Sequence, residues 1–298
     1  MKLKTIGLIV LMAFLTAGIV IGILFFNKNG SQRKPKDGFY PSNHRAYYAF
    51  SQNEEPIINL ETFFVNNAFR TNPDRVTSYS DFALIDPEAN TELPFTLREE
   101  DLAALKSADG LVFQDVDTVF DRMLQIPVVN VALSERAINF TQLRYKDPDG
   151  NQVVKEIGCI TVEGGYPESK EAAAMSARLQ WEKYEQPTFD QLEYIFSSGG
   201  KAVQIRSVSF GQTGVEPEIT FPVQVAANDE ITETYPVHLN KDVADEPMFY
   251  ALKPKFEYET DGETFTGTFG NTELEKYIAY DIDILEYLYQ RSEKEKNL

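Results

Sequence analysis

The chain has 298 residues and a formal net charge of −18. Six of its 28 Lys and Arg lie in residues 1–36, where there is no Asp or Glu, so residues 37–298 hold 22 basic against 46 acidic side chains, or −24. That balance excludes a nucleic-acid partner, whose phosphates need a basic footprint. A hydrophobic content of 43%, with 21 Phe and 15 Tyr, excludes a disordered stalk.

Ile6 to Phe26 reads IGLIVLMAFLTAGIVIGILFF and carries no charge. At about 1.5 Å of rise per residue such a helix is roughly 31 Å long, the thickness of a bilayer's hydrocarbon core. The run predicts an N-terminal membrane anchor over residues 1–26. Lys2 and Lys4 precede it, and Lys28, Arg33, Lys34 and Lys36 follow, so flanking charge alone does not orient it. The short basic N-terminal tail resembles a signal n-region, while the run exceeds the ~7–15 residues of a secretory h-region. The expectation is an uncleaved signal anchor with the domain exported, periplasmic or extracellular; cleavage and a cytoplasmic orientation are the alternatives. Gly18 and Gly22, and Ala13 and Ala17, are small-xxx-small pairs that permit close packing of transmembrane helices.

Residues 27–40 read as a juxtamembrane linker rich in Gly, Pro, Ser and Lys. Residues 41–137 read as a helix-rich part. Asn59 caps a predicted helix to Phe69, with Ile57, Leu60, Phe64 and Ala68 on one stripe. Residues 70–95 read as loop. Thr96 and Glu99 form a capping box for a short helix to Lys106. Asp117 caps another, with Val119, Phe120, Met123 and Leu124 as its apolar face. Val128 to Leu133 is a candidate strand.

Residues 138–298 read as an α+β part. Ile138 to Val162 is a predicted hairpin around Asp147-Pro148-Asp149-Gly150, where Pro presets φ and Gly accepts a positive φ. Helices are expected from Glu168 to Tyr184, carrying Trp181 in the core, and from Thr188 to a stop at Gly199-Gly200. Alternating strands follow at Ile219 to Ala226, Ile231 to Leu239, Leu252 to Glu259 and Thr264 to Phe269. Pro222, Pro236 and Pro254 place these at edges or bulges. Thr260-Asp261-Gly262-Glu263 joins the last pair as a hairpin. The Asp-Gly turns at Gly150 and Gly262 echo each other without sequence identity. Thr272 with Glu275 caps a predicted C-terminal helix to Arg291, whose stripe is Leu274, Ile278, Ile282, Leu285 and Tyr289. The fold class expected is α+β: one transmembrane helix, a helix-rich part, and a small antiparallel sheet covered by the C-terminal helix.

No catalytic pattern stands out. A nucleophilic triad has only His44 and His238 to draw on, and both read as surface histidines. The single cysteine, Cys159, reads as a small core residue. Ser198 and Lys201 match Ser-x-x-Lys, but two glycines between them break the helical turn that motif needs. One Cys and two His make zinc improbable. Asp147, Asp149 and Asn151 read as a hairpin turn and not a calcium loop, and Asp115, Asp117 and Asp121 as first-turn acids. Asn139-Phe140-Thr141 is a formal glycosylation sequon. Tyr277, Tyr280, Tyr287 and Tyr289 crowd the last helix and are candidate partner contacts. No cofactor, metal or catalytic residue is assigned.

The functional expectation is a bitopic, non-enzymatic interaction or scaffold subunit of a membrane-associated envelope assembly, with a protein partner or a second copy. Two alternatives stand: an anchored hydrolase of surface glycan using an Asp/Glu pair, and an extracytoplasmic ligand sensor with a deep apolar pocket.

Overall fold

A computed structural model describes residues 35–107, 111–113, 116–129, 131–134, 136–166, 176–181, 191–239, 248–269, 272–276 and 281–294. Its first strands are β1 (Gly38–Pro41), β2 (Asn43–Ser51), β3 (Ile57–Val65), β4 (Ser80–Asp86), β5 (Thr91–Phe95), β6 (Leu111–Phe113), β7 (Val116–Pro127), β8 (Ile138–Lys146) and β9 (Gln152–Tyr166). Then come β10 (Ser176–Trp181), β11 (Gln191–Ser197), β12 (Val203–Ser209), β13 (Val215–Pro217), β14 (Val223–Val225) and β15 (Glu230–Leu239). The last are β16 (Met248–Lys253), β17 (Lys255–Thr260), β18 (Glu263–Thr268) and β19 (Thr272–Lys276). Among the described residues the helices are a 3-10 turn (Pro73–Ser78), α1 (Glu99–Ala104) and α2 (Asp281–Lys294).

The expected α+β fold with a helix-rich first part is therefore corrected: the described chain is built from β-sheet. Residues read as the Asn59–Phe69 helix form β3, and those read as the Asp117 helix form β7. The physical reason is burial on two sides. In β3, Ile58, Leu60 and Phe64 enter one core while Phe63 and Val65 enter another. A strand apolar on both faces loses its period of two and is easily taken for a helix. Likewise β10 and β11 occupy positions read as helices, and β19 occupies the first turn of the expected C-terminal helix.

The single-pass, bitopic membrane protein expected from the anchor is corrected on the same footing. Among the described residues no helix is long and apolar enough to cross a membrane. The run 6–26, with Ala13, Ala17, Gly18 and Gly22, lies outside the described residues, and the localisation built on it is not carried further.

Four sheets are present: β1-β3-β7-β6, β10-β11-β15-β13, β14-β12-β17-β18, and a seven-stranded β19-β16-β2-β9-β8-β4-β5. The first packs on the seven-stranded sheet around Phe39, Tyr48, Leu60, Phe64, Phe82, Phe120, Phe140 and Ile160. The other two enclose a second core of Leu192, Tyr194, Phe196, Ile205, Val225, Phe256 and Tyr258. Both cores are aromatic-rich, with tilted and edge-on ring pairs such as Phe39–Phe82 at 5.3 Å and Phe256–Phe269 at 4.9 Å. The helix α2 covers the outer face of the first sheet, where Ile284, Tyr287 and Leu288 meet Tyr40, Phe63 and Val119.

The two hairpins read from turn chemistry are present, β8–β9 around Asp147–Gly150 and β17–β18 around Asp261-Gly262. Within β9 a bulge intervenes: Phe140 faces Ile160 while Gln142 faces Glu156. Gly158 sits there at φ +79, and a Cβ on it would stand 2.3 Å from the His44 carbonyl oxygen. The bulge shifts the inward parity of β9 from Ile157 to Ile160 and Val162.

Candidate functional site: the seam between the two cores

The strand β16 runs parallel to β2 and antiparallel to β19. Its alternate side chains leave opposite faces. Phe249 and Ala251 enter the first core, and Tyr250 and Leu252 enter the second. At Pro254 the chain passes directly into β17, which belongs to a different sheet. A proline fits this point because it has no N–H to leave unpaired; its carbonyl accepts a hydrogen bond from Phe269 N at 2.9 Å.

Two lysines flank that proline, and each meets a glutamate of the first sandwich. Lys253 is almost wholly buried. Its Nζ donates to the Phe269 carbonyl at 2.8 Å, pairs with Glu54 at 2.9 Å, and lies 5.5 Å from the Phe50 ring centre. Lys255 pairs with the buried Glu163 at 2.8 Å, donates to the Tyr166 hydroxyl at 2.9 Å, and lies 5.0 Å from that ring's centre. The Tyr47 hydroxyl donates to the same Glu163 oxygen. The Tyr47 ring is pressed on Gly211 of the β12–β13 loop, where a Cβ would stand 2.4 Å from the ring. Only glycine, here at φ +58, allows that approach.

The electrostatics fix protonation in this cluster. Burial and then the Glu163 hydrogen bond and charge raise the Tyr47 hydroxyl far above its ordinary pKa. Burial also raises Tyr166, against the hydrogen bond from Lys255. For Lys255, burial lowers the pKa, but hydrogen bonds to Glu163 and Tyr166 outweigh it and the net direction is up. The cluster is a cation, a carboxylate and two protonated phenols, each hydrogen-bonded to another. Such an arrangement joins elements of different sheets through charge-assisted hydrogen bonds.

His44 is not on the surface. It is fully buried, 5.2 Å from the Phe249 ring. Its Nδ1 lies 2.8 Å from the Ser42 carbonyl and 3.2 Å from that of Ile157, and Nε2 accepts the Glu61 N–H at 2.9 Å. Those partners require a neutral ring with the proton on Nδ1. Burial lowers its pKa to about 4, against the two carbonyl bonds and with help from the Arg291 charge. His238 lies in β15 opposite Glu216; its side chain is outside the described residues.

Cys159 is half-buried, its Sγ 3.5 Å from the Thr161 hydroxyl, and burial raises its pKa. Asn139, the sequon residue, accepts from Thr161 at 2.8 Å, and its backbone N–H donates to Asp86 at 2.9 Å. Ser198 donates to the Ala226 carbonyl while Lys201 pairs with Asp261 at 2.7 Å, so the Ser-x-x-Lys residues turn to separate partners. Asp147 accepts the Asp149 and Asn151 N–H groups at 2.9 and 2.8 Å, as a turn residue does. Asp115 lies outside the described residues. Among the described residues no group of three or more His, Cys, Asp or Glu is placed to hold a metal ion.

Of the four tyrosines proposed for partner contact, Tyr287 is buried in the chain's own core. Its hydroxyl donates to the Pro41 carbonyl at 2.6 Å and accepts from Arg291 at 3.1 Å. Tyr289 is half-buried, and Tyr277 and Tyr280 lie outside the described residues. One cluster had no sequence signal beyond an acidic first turn. Asp101 of α1, 1% exposed, accepts from Arg98 at 2.9 Å and Arg122 at 3.1 Å, clipping the short helix to β7.

No protein-family model matches the chain, and no curated protein matches it. Solved structures that it resembles include a protein of unknown function from Porphyromonas gingivalis, at 10% identity over 79% of this chain and 99% of that one, TM-score 0.22. The E. coli chaperone DraB is 10% identical over 80% of this chain and 98% of its own, TM-score 0.21. A domain of intimin is 9% identical over 80% and 99%, TM-score 0.22.

Proposed function

We propose that this chain is a non-enzymatic protein-interaction module, a stiff two-core platform that presents sheet edges and an acidic surface to a protein partner. The observation that carries the reading is β16, buried on both faces by two different cores. A strand shared in this way, with Lys253 and Lys255 paired across the seam, makes one continuous body of two sandwiches. The buried titratable groups of the seam are spent on that joint. What such a body offers a partner is its outer surface and the unpaired backbone of its sheet edges.

The test is purification of the full-length chain from its native source under mild conditions, with native mass measurement, followed by rebuilding of any complex from separately purified components. A partner recovered at fixed stoichiometry that re-forms the complex in vitro is the expected result. A monomer that binds no co-purified protein on reconstitution, and that turns over a glycan or small molecule, overturns the reading.

A further inference from the structure

We propose that the outer edge of β18 is a strand-addition site for an extended polypeptide segment in which basic and apolar residues alternate. The inference rests on the interaction-module reading and names the surface and the partner's chemistry.

The strand β18 ends its sheet, pairing with β17 from Lys255↔Thr268 to Thr260↔Glu263, and among the described residues no strand pairs with its other edge. Proteins ordinarily blunt such edges with proline, basic side chains or brevity. The other edge strands here follow that rule. Pro41 ends β1, Pro94 interrupts β5 and Pro217 ends β13. Arg178 lies in β10 and Lys276 in β19, while β6 and β14 are three residues each. Only β18 among them offers six residues, Glu-Thr-Phe-Thr-Gly-Thr, with neither proline nor a basic group.

Its two faces specify the occupant. On the inner face Phe265 is half-buried at the rim of the second core, stacked on Tyr258 at 5.4 Å. An added strand would bring its inward residues beside Phe265, so those positions call for apolar side chains. On the outer face Thr264 and Thr266 stand opposite Glu259 and Glu257, and the connecting turn adds the exposed Asp261. Arg206 pairs with Glu259 and Lys201 with Asp261. With residues 37–298 at −24 overall, the outward positions of the partner call for Lys or Arg. Backbone hydrogen bonds supply the affinity and the alternating side chains the selectivity.

The experiment uses the full-length chain and a labelled ten-residue peptide alternating lysine and valine, read by fluorescence anisotropy and hydrogen exchange. Two control peptides alternate glutamate with valine, or carry N-methyl groups on every second amide of the lysine–valine peptide. The lysine–valine peptide is expected to bind and to slow exchange within residues 263–268. Backbone methylation, and separately the double variant Thr264→Lys with Thr266→Lys, should each weaken binding about tenfold at low salt. Equal binding of the methylated peptide shows charge adsorption and overturns the proposal. Protection at a different edge overturns the assignment to β18 while leaving the interaction reading standing. Absence of binding by every peptide overturns strand addition here, and the reconstitution experiment then judges the interaction reading by itself.

Discussion

His44 should make the chain lose stability as pH falls from 6.5 to 4, and the loss can be isolated from every other titration. The unfolded imidazole has an ordinary pKa near 6.5, and burial lowers the folded one to about 4. In that window the unfolded chain takes up a proton that the folded chain refuses. Stability therefore rises with pH through the window and is level above and below it. The difference between the two values, at about 1.4 kcal/mol per pH unit, is about 3.5 kcal/mol, of which ~2.5 kcal/mol is reached by pH 4.5. The assay is urea unfolding of the wild type and His44→Gln between pH 7.5 and 4.5. Groups common to both cancel, and the wild type should lose about 2.5 kcal/mol more than the variant. Imidazole NMR gives an independent reading, since there are only two histidines to assign. A difference that stays level with pH, or a His44 titration midpoint near 6.5, refutes the buried, carbonyl-bonded geometry.

Two further predictions concern the backbone and the seam. Gly158→Ala adds left-handed strain of about 1–2 kcal/mol to a collision with the His44 backbone, which cannot swing aside. It should cost about 3 kcal/mol or more in urea unfolding, and a loss under ~1 kcal/mol would show that the bulge is not as described. Lys255→Met strands Glu163 beside Tyr47 and should cost about 2 kcal/mol, below the usual figure for a broken buried pair because Lys255 is partly exposed. Adding Glu163→Gln should restore part of that loss, and strict additivity of the two changes would remove the pair from the account of the seam.

What the sequence made legible was local. Asp147-Pro148-Asp149-Gly150 and Asp261-Gly262 announce their hairpins because turn conformation is set by the residues in the turn. The helix near Glu99 was legible too, although its cap is not the expected Thr96: Arg98 stands at the N-cap and pairs with Asp101. Residues 70–95, read as loop, hold the β4–β5 hairpin, and another error concerns a strand buried on both faces. Ile57, Leu60 and Phe64 match a helical stripe because β3 serves two cores and buries even Asn59, Glu61 and Thr62, so no exposed polar side marks its alternation; Ala68 lies beyond the strand. Thr272 and Glu275 look like a capping box, yet Glu275 and Glu273 lie opposite Phe249 and Ala251 in a sheet; tertiary pairing overrode the local preference. The seam was invisible for a different reason. Lys255 finds Tyr166 89 positions earlier, and no local pattern records such a pairing. His44 was misplaced because its neighbours Pro41, Ser42 and Asn43 suggest a surface turn, whereas its ring satisfies three backbone groups from three segments.

The shared strand also sets an order on synthesis. By the time β9 ends at residue 166, β1, β3, β4, β5, β7 and β8 have all been made, yet β2 still has one open side. The strand that closes it, β16, and the β19 that closes β16 in turn, are complete only at residue 276. At a translation rate of ~5–20 residues per second that interval is roughly 6–20 s. Through it the nascent first sandwich carries a parallel-pairing edge beside aromatic core residues, in full view of other nascent chains and folding helpers. The chain's yield in a cell is thus tied to how promptly its own later half arrives at β2.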